Sequence, residues 1–361
     1  MTPRVRTPPP PGELVLITGG AGFVATNVAD RLLRQGYRVR LLDNLSRDGV
    51  DQNVQWLRAE HGNRVEFRFG DVRDSAAVRN ALRGVRRVFH FAAQVAVTTS
   101  LVDPFLDFDV NARGTLNLLE AIRDLEDRPS VLFTSTNKVY GHLDDVTLQE
   151  QQRRYVPEDA AIARRGISEA RPLDFHSPYG CSKGAAEQYV LDYARTFDLP
   201  AVVFRMSCIY GPHQFGTEDQ GWVAHFIIQA LKRRPLTLYG DGLQVRDILF
   251  VEDLVDAMLL AHANVSEIAG EAFNIGGGPA NTTSLLELLD LIERMSGEPP
   301  AYSIEPWRTA DQRYYVSDTT KFTAATGWRP RTGVVEGVAR LAAWLAQHGA
   351  PREVVGDQVA S

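Results

Sequence analysis

The sequence predicts an α/β protein, a doubly wound parallel sheet of the Rossmann type with a smaller C-terminal α/β substrate-binding lobe. Three observations predict it. Short apolar runs rich in β-branched residues alternate with helical patterns from residue 14 to residue 207. The first run passes straight into a glycine-rich turn and a helix. Beyond Ser207 the alternation loosens into shorter strand-like runs and helices.

The opening stretch, "MTPRVRTPPPPG", carries a proline run that predicts an extended or disordered tail over 1–12. It has no apolar centre, so it does not read as a secretory signal. "LVLITG" (14–19) is the first strand-like run, and "FVATNVADRLLRQG" follows with apolar residues at helical spacing and a glycine stop. "VRLLDN" (39–44), "VEFRFGD" (65–71), "RVFHFAA" (87–93), "SVLFTST" (130–136) and "AVVFRMS" (201–207) repeat the strand signal. Helical patterns fall between most of them, around 75–83, 105–124 and 179–197. Such alternation requires parallel strands joined by right-handed crossovers, with helices on both faces. Residues 142–176 form a polar insertion rich in arginine and glutamate, and loops of that length are usually functional or disordered. Further on, "LTLYG" and "AFNIG" mix with helices at 222–234, 284–296 and 334–347. The expected division is a dinucleotide-binding domain over 13–207 with a return around 244–276. A substrate-binding lobe would come from 208–243 and 277–350, with a tail at 351–361.

Composition narrows the class. Of 361 residues, 44% are hydrophobic and 23% charged, as in a globular protein with a substantial core. A net charge of -6 gives no reason to expect nucleic acid or an anionic membrane surface as partner. No apolar run reaches the roughly 18 residues of a membrane span. The two cysteines, Cys181 and Cys208, have no metal-ligand spacing, and no metal site is expected. Their scarcity argues against a disulfide framework and fits a reducing cytoplasm.

In "ITGGAGFVA", Gly19 and Gly22 stand at a strand-to-helix turn, where backbone N–H groups can approach a pyrophosphate at the helix N-terminus. Ala25 takes the third glycine position. Asp43 ends the second strand about 20 residues on, where a carboxylate accepts from the ribose 2′-OH and repels a 2′-phosphate. Asn44 and Leu45 supply no immediate counter-charge, so NAD is favoured over NADP. Asp71, ending the third strand, either bonds the adenine amino group or caps the helix that starts near Ser75.

"PYGCSKGAAEQY" holds Tyr179 and Lys183 four residues apart, on one face of a helix. A phenol is a poor base at neutral pH unless a neighbouring ammonium favours its anion. Thr136 ends the fifth strand, at the sheet edge where ligands bind, and its hydroxyl can bond a substrate oxygen that Tyr179 deprotonates.

Together these residues resemble the extended short-chain dehydrogenase/reductase family, in particular its nucleotide-sugar epimerases and dehydratases, from about Leu14 to about Ala346. The resemblance implies that Thr136, Tyr179 and Lys183 are catalytic. It implies cofactor contacts by Phe23, Val24, Asn44, Val72, Ala92, Ala93 and Asn111 as well as by the glycines, Asp43, Asp71, Tyr179 and Lys183. "RMSCIYGP" (205–212), "GLQVRDILFVED" (242–253) and "FNIGGG" (273–278) match its substrate landmarks. Ser207, Arg246 and Arg308 then fall among substrate contacts, the arginines on the diphosphate of a nucleotide sugar. Each arginine alone could equally form a surface salt bridge. Dehydratases of the family carry Asp-Glu after the threonine, whereas this chain has Asn137 and Lys138, which cannot serve as that acid/base pair. Dehydration is therefore disfavoured, and Lys138 becomes a candidate sugar contact. Longer strings, such as "LDFHSPYGCSKGAAEQYVLDYAR" and "QFGTEDQGWV", narrow the resemblance to members that invert carbon 2 of a CDP-linked sugar. A 4-epimerase using the same three residues is the alternative, followed by a silent NAD-binding protein, against which the intact Tyr and Lys speak. The family's habit of pairing through helices implies a homodimer.

Overall fold

Strand β1 (Leu14–Thr18) is buried from Val15 onward, as a central parallel strand must be. The protein is described by a computed structural model over residues 12–348. All of the expected tails but Gly12 therefore lies outside the described residues. From β1 the chain enters α1 (Phe23–Arg34), whose Val28, Ala29, Leu32 and Leu33 turn their full surface onto the sheet. Each leucine buried in this way stabilises the packing by roughly 1.5–3 kcal/mol. Then come β2 (Arg38–Asp43), α2 (Asp51–His61), β3 (Val65–Phe69), α3 (Ser75–Ala81) and β4 (Arg87–His90). Helix α4 (Val97–Val102) precedes a region where the single helical pattern expected around 105–124 is broken. It consists of α5 (Pro104–Phe108), a π-turn at Asp109–Arg113, and α6 (Gly114–Arg123). Strand β5 (Ser130–Thr136) follows.

The polar insertion is ordered. It forms a hairpin of β6 (Leu148–Gln151) and β7 (Arg154–Pro157), turning through Gln152 at φ 51, and then α7 (Ala160–Arg165), capped by Asp159. Its few apolar residues decide this. Tyr155 is buried with Tyr314 and Val316, and Leu148 and Ile162 pack beside them. Arg153 pairs with Asp290 at 2.7 Å, and Arg154 donates to Thr282 at 2.8 Å, so the charged residues tie the hairpin down.

Helix α8 (Ser177–Phe197) leads to β8 (Ala201–Met206), where the chain leaves the sheet through β9 (Cys208–Tyr210). The rest comprises α9 (Trp222–Leu231), β10 (Leu236–Tyr239), β11 (Val245–Phe250), α10 (Val251–Ala263), α11 (Val265–Ile268) and β12 (Ala272–Ile275). After them come β13 (Thr282–Ser284), α12 (Leu285–Ser296), β14 (Tyr302–Glu305), β15 (Tyr314–Tyr315), α13 (Thr320–Thr326) and α14 (Val334–His348).

Seven strands form one parallel sheet in the order β12-β8-β5-β4-β1-β2-β3. Alternate residues of β1 face two cores. Val15 and Ile17 meet α1, α2 and α10, while Leu16 meets α3, α6 and α8. The strand order reverses between β1 and β4, which opens the ligand crevice at their C-terminal ends. The return expected around 244–276 begins later than the sequence suggests. Strand β12 and helix α10 join the large layer, but β11 pairs with β9, β13 and β15 in a small sheet. Strand β9 splays off after Met206 and pairs with β11, which carries Ile248 and Phe250 to the lobe while Leu249 stays in the core of the large sheet. A third core, of α9, α12 and α14 against β10 and β11, fills that lobe.

Candidate active site

The turn after β1 requires glycine. Gly19 has φ +64, and a Cβ there would lie 2.7 Å from the Ala92 backbone nitrogen. Gly22 is the N-cap of α1 and provides no side-chain cap, and no acid occupies the first turn. The N-terminal N–H groups of α1 thus face the crevice unpaired by a side chain, and Phe23 and Val24 line its cavity. The buried hydroxyls of Thr98 and Ser135 line the same cavity and find no partner among the described residues. A dinucleotide fits this cradle.

At the end of β2 the Asp43 carboxylate accepts from the N–H of Ala21 (3.0 Å) and of Leu45 (2.8 Å), tying itself to the glycine turn. Arg47, four residues on, lies within reach of its charge, a neighbour that Asn44 and Leu45 did not reveal. Asn44 donates to Asp71 at 2.8 Å. Hydrogen bonds from Arg73 hold the Asp71 carboxyl down at about 2 despite its partial burial. Asp71 does not cap α3; Asp74 does, accepting from Ala76 and Ala77. Val72 packs into the core, and its carbonyl accepts from Asn117. Ala92 donates to the Thr18 hydroxyl at 3.2 Å, and Ala93 follows it at the end of β4.

Thr136 ends β5, and its hydroxyl caps the next turn by accepting from Lys138 N at 3.2 Å. Tyr179 lies in the first turn of α8 with its phenol near the Thr136 hydroxyl, which itself donates to Asn137 Oδ1 at 3.3 Å. Burial pushes the phenol up to about 12, against the influence of the nearby Thr136 hydroxyl and with help from the Asp107 charge. Lys183, 3% exposed, has its Nζ 4.3 Å from the centre of the Phe133 ring. Burial brings this ammonium down to about 7, while Asp107 and Glu187 pull the other way. Burial thus works against both charged forms, the phenolate of Tyr179 and the ammonium of Lys183.

Asn111 stands on the π-turn, 1% exposed, and staples three elements. It accepts from Gln94 N at 2.9 Å and donates to Ser182 Oγ (3.0 Å) and Asp107 Oδ1 (3.1 Å). The π-turn aims this amide at α8, next to Lys183.

Asn137 and Lys138 are both engaged. The Asn137 amide donates to Gln312 Oε1 at 3.1 Å, and Gln312 donates to the Gly141 carbonyl at 2.6 Å. Lys138 donates to the Ala310 carbonyl at 3.0 Å and pairs with Asp311 at 3.6 Å. Arg246, 7% exposed, bonds the same Asp311 carboxylate at 2.8 Å. Arg308 is held by Glu218 and Asp219, each at 3.2 Å, with its guanidinium 3.8 Å over the Tyr239 ring. Ser207 gives its proton to Asp247, so toward a ligand it could only accept.

One cavity of about 410 Å³ joins Phe23, Val24, Thr136, Lys138, Tyr179, Ser207, Arg246 and Arg308. Lys183 and Asn111 lie behind its wall, while Asp43, Asn44 and Asp71 stand further along the sheet edge. A second cavity, of about 570 Å³, lies between the hairpin and residues 307–314 and contains none of Thr136, Tyr179 and Lys183. Sequence reasoning missed Asp107, Glu187, Asp311 and Gln312. Glu187 could have been found, since it sits four residues past Lys183 on the same helical face.

A doubly wound sheet with a glycine turn, and a Thr, Tyr and Lys set at its switch-point edge, defines a dinucleotide-dependent enzyme of the short-chain dehydrogenase/reductase type. The chain belongs to the NAD dependent epimerase/dehydratase family, whose sequence model matches residues 15–276. It is 45% identical to a CDP-paratose 2-epimerase of Salmonella typhi over 92% of this chain and 99% of that protein. A Thermus thermophilus UDP-glucose 4-epimerase solved in complex with NAD superposes with a TM-score of 0.77 at 33% identity, covering 93% of this chain and 100% of that one. A Bacillus cereus UDP-glucuronic acid 4-epimerase, solved with UDP-glucuronic acid and NAD, gives 0.79 at 26% identity, covering 92% and 99%. The cofactor is NAD, as the glycine turn and Asp43 predict. Among the described residues no helix is long and apolar enough to cross a membrane.

Proposed function

We propose that this enzyme inverts carbon 2 of a CDP-linked (dideoxy)hexose. The observation that carries the reading is the 45% identity to a CDP-paratose 2-epimerase over nearly the whole of both chains. The engaged Asn137 and Lys138 support it, because an amide and an ammonium held by Gln312 and the Ala310 carbonyl cannot act as the acid/base pair of a dehydratase.

Tyr179 removes the proton of the carbon 2 hydroxyl and later returns it to the same oxygen, once the sugar has presented the opposite face of carbon 2. Thr136, on the same cavity as Tyr179, positions the reacting oxygen. Lys183 and Asn111 hold the inner wall, and Arg246 and Arg308 exchange their carboxylate partners for the substrate diphosphate. The chemistry that NAD supplies when bound is reversible acceptance of hydride, which permits a transient 2-keto sugar. The Gly19 turn, Phe23, Val24 and Asp43 would hold it. We further assign the protein to the cytoplasm as a homodimer, on its paucity of cysteine and on the pairing habit of its family. Incubation with CDP-linked hexoses and NMR of the products tests the reading. A sugar inverted at carbon 2 is expected, and inversion confined to carbon 4 would overturn it in favour of a 4-epimerase.

A related prediction concerns the missing acid/base pair. The double variant Asn137→Asp with Lys138→Glu is expected to form no 4-keto-6-deoxy product from a nucleotide hexose at a useful rate. A carboxylate at 138 would meet Asp311 and the Ala310 carbonyl where an ammonium sits now, so like charges would repel. Substantial 4-keto-6-deoxy product would show that the pair alone selects dehydration.

A further inference from the structure

The Thr136 hydroxyl has one proton, and a chain of buried amides fixes where that proton goes. Gln312, fully buried, donates its amide N–H to the Gly141 carbonyl at 2.6 Å. A carbonyl can only accept, so the nitrogen must face Gly141 and the Gln312 oxygen must face the other way. That oxygen accepts from the Asn137 amide at 3.1 Å, which turns the Asn137 oxygen toward Thr136. Asn137 Oδ1 can only accept, so across those 3.3 Å Thr136 is the donor. Thr136 Oγ also accepts from the Lys138 N–H at 3.2 Å.

The same hydroxyl lies near the Tyr179 phenol, and both side chains line one cavity. A Thr136 proton turned toward the phenolate would stabilise the anion. A proton held by Asn137 cannot do so at the same time. The amide oxygen and the phenolate therefore compete for one proton, and Gln312 keeps the amide oxygen in place. Around the phenol, α5 brings Asp107, α8 itself brings Lys183, and the turn after β5 brings Lys138 with its partner Asp311. Helix α4, which bonds the Tyr179 N–H through Ser100, has no titratable side chain. Cys208, His225, Arg246 and the Arg308 pairs line the rest of the cavity.

We propose that Asn137, anchored by Gln312, is a positioning residue for the base: it draws the Thr136 proton away from Tyr179 and so sets the pH at which the phenol releases its own. A weakly acidic Tyr179 keeps the proton taken from the sugar hydroxyl while the keto sugar turns, and then returns it. This deepens the assignment of Tyr179 as the base and rests on it.

The test is a titration of Tyr179 by carbon-13 NMR, on full-length protein with NAD bound and tyrosine labelled at Cζ. The Tyr179 signal is the one missing from Tyr179→Phe. No sugar is added, so the result holds whichever sugar or carbon is inverted. In Asn137→Leu, Tyr179 is expected to titrate about 0.7 of a pH unit lower than in wild type. That is about a fivefold rise in acidity, the net worth of one neutral hydrogen bond. A loosened site that admits water would move the titration the same way, so the change is repeated in Thr136→Val. There no proton is contested, and adding Asn137→Leu should shift Tyr179 no further. An unchanged titration in Asn137→Leu would overturn the inference, and so would an equal shift in the Thr136→Val background. Gln312→Met, which frees the Asn137 amide to turn over, should give a smaller shift of the same sign. It decides in the same way if the leucine protein fails to fold, and no shift there overturns the inference. Wild-type turnover by Tyr179→Phe is read separately, and it would overturn the base assignment and the inference with it.

Discussion

Tyr179→Phe is expected to lower turnover by at least about a hundredfold, the usual cost of losing a general base, while NAD stays bound. The change removes one oxygen. That oxygen lies near the Thr136 hydroxyl inside a site where Tyr179 is 9% exposed, so water cannot easily replace it. The cofactor cradle at Gly19, Gly22 and Asp43 lies on other elements and is untouched. The measurements are steady-state turnover on a CDP-linked hexose and the NAD released by acid denaturation. Turnover near the wild-type value would contradict the assignment of Tyr179 as the base. Loss of NAD along with activity would show that Tyr179 chiefly holds the cofactor.

The second large effect lies about two turns further along the same helix. Glu187 is fully buried and receives two bonds from Arg205, at 3.0 and 2.6 Å. Arg205 also donates to Tyr140 Oη at 2.8 Å, and Tyr140 donates to Asn274 at 2.8 Å. This chain links α8 to the turn after β5 and to β8 and β12, so it fixes the helix that carries Tyr179 and Lys183. Removing one partner strands a buried charge, and Glu187→Ala should cost about 3–5 kcal/mol of unfolding free energy. Replacing both, as Glu187→Ala with Arg205→Met, should recover part of that loss. Chemical denaturation checks both, and a loss below about 1 kcal/mol for the single variant would show that water or a shifted side chain compensates. There is a second consequence. Glu187 is one of two carboxylates that keep the proton on Lys183 against burial. Without it, the Lys183 ammonium should discharge at lower pH than its present value of about 7, displacing the pH profile of whatever activity remains toward acid.

The parts of this enzyme that could be read from sequence are those built from neighbours along the chain. Strand β1 is an apolar run up to Thr18 because both of its faces are covered, and that pattern needs no partner to be seen. Tyr179 and Lys183 share a helix, and the glycine turn is contiguous. What could not be read depends on residues far apart. Asn137 meets Gln312 across 175 positions, and the Glu187–Arg205 pair joins a helix to a strand. The π-turn under Asn111 adds one residue to a helical period, and no local pattern announces it. The hairpin in the insertion is held by Tyr155 and Ile162 against residues beyond 310, so its polar composition concealed an ordered element. Strand β11 looked like part of the large sheet because its apolar run is the same for either sheet.

The central claim is that carbon 2 is inverted with the migrating hydrogen kept inside the site. The most direct measurement runs the reaction in deuterium oxide on a CDP-linked 3,6-dideoxyhexose and analyses the product by NMR and mass spectrometry. A buried set of Thr136, Tyr179 and Lys183, with no acid/base pair at 137 and 138, predicts a product inverted at carbon 2 that retains its original carbon-bound hydrogen. Deuterium at carbon 2 would mean that the hydrogen exchanged with water through an enol, and it would contradict the account.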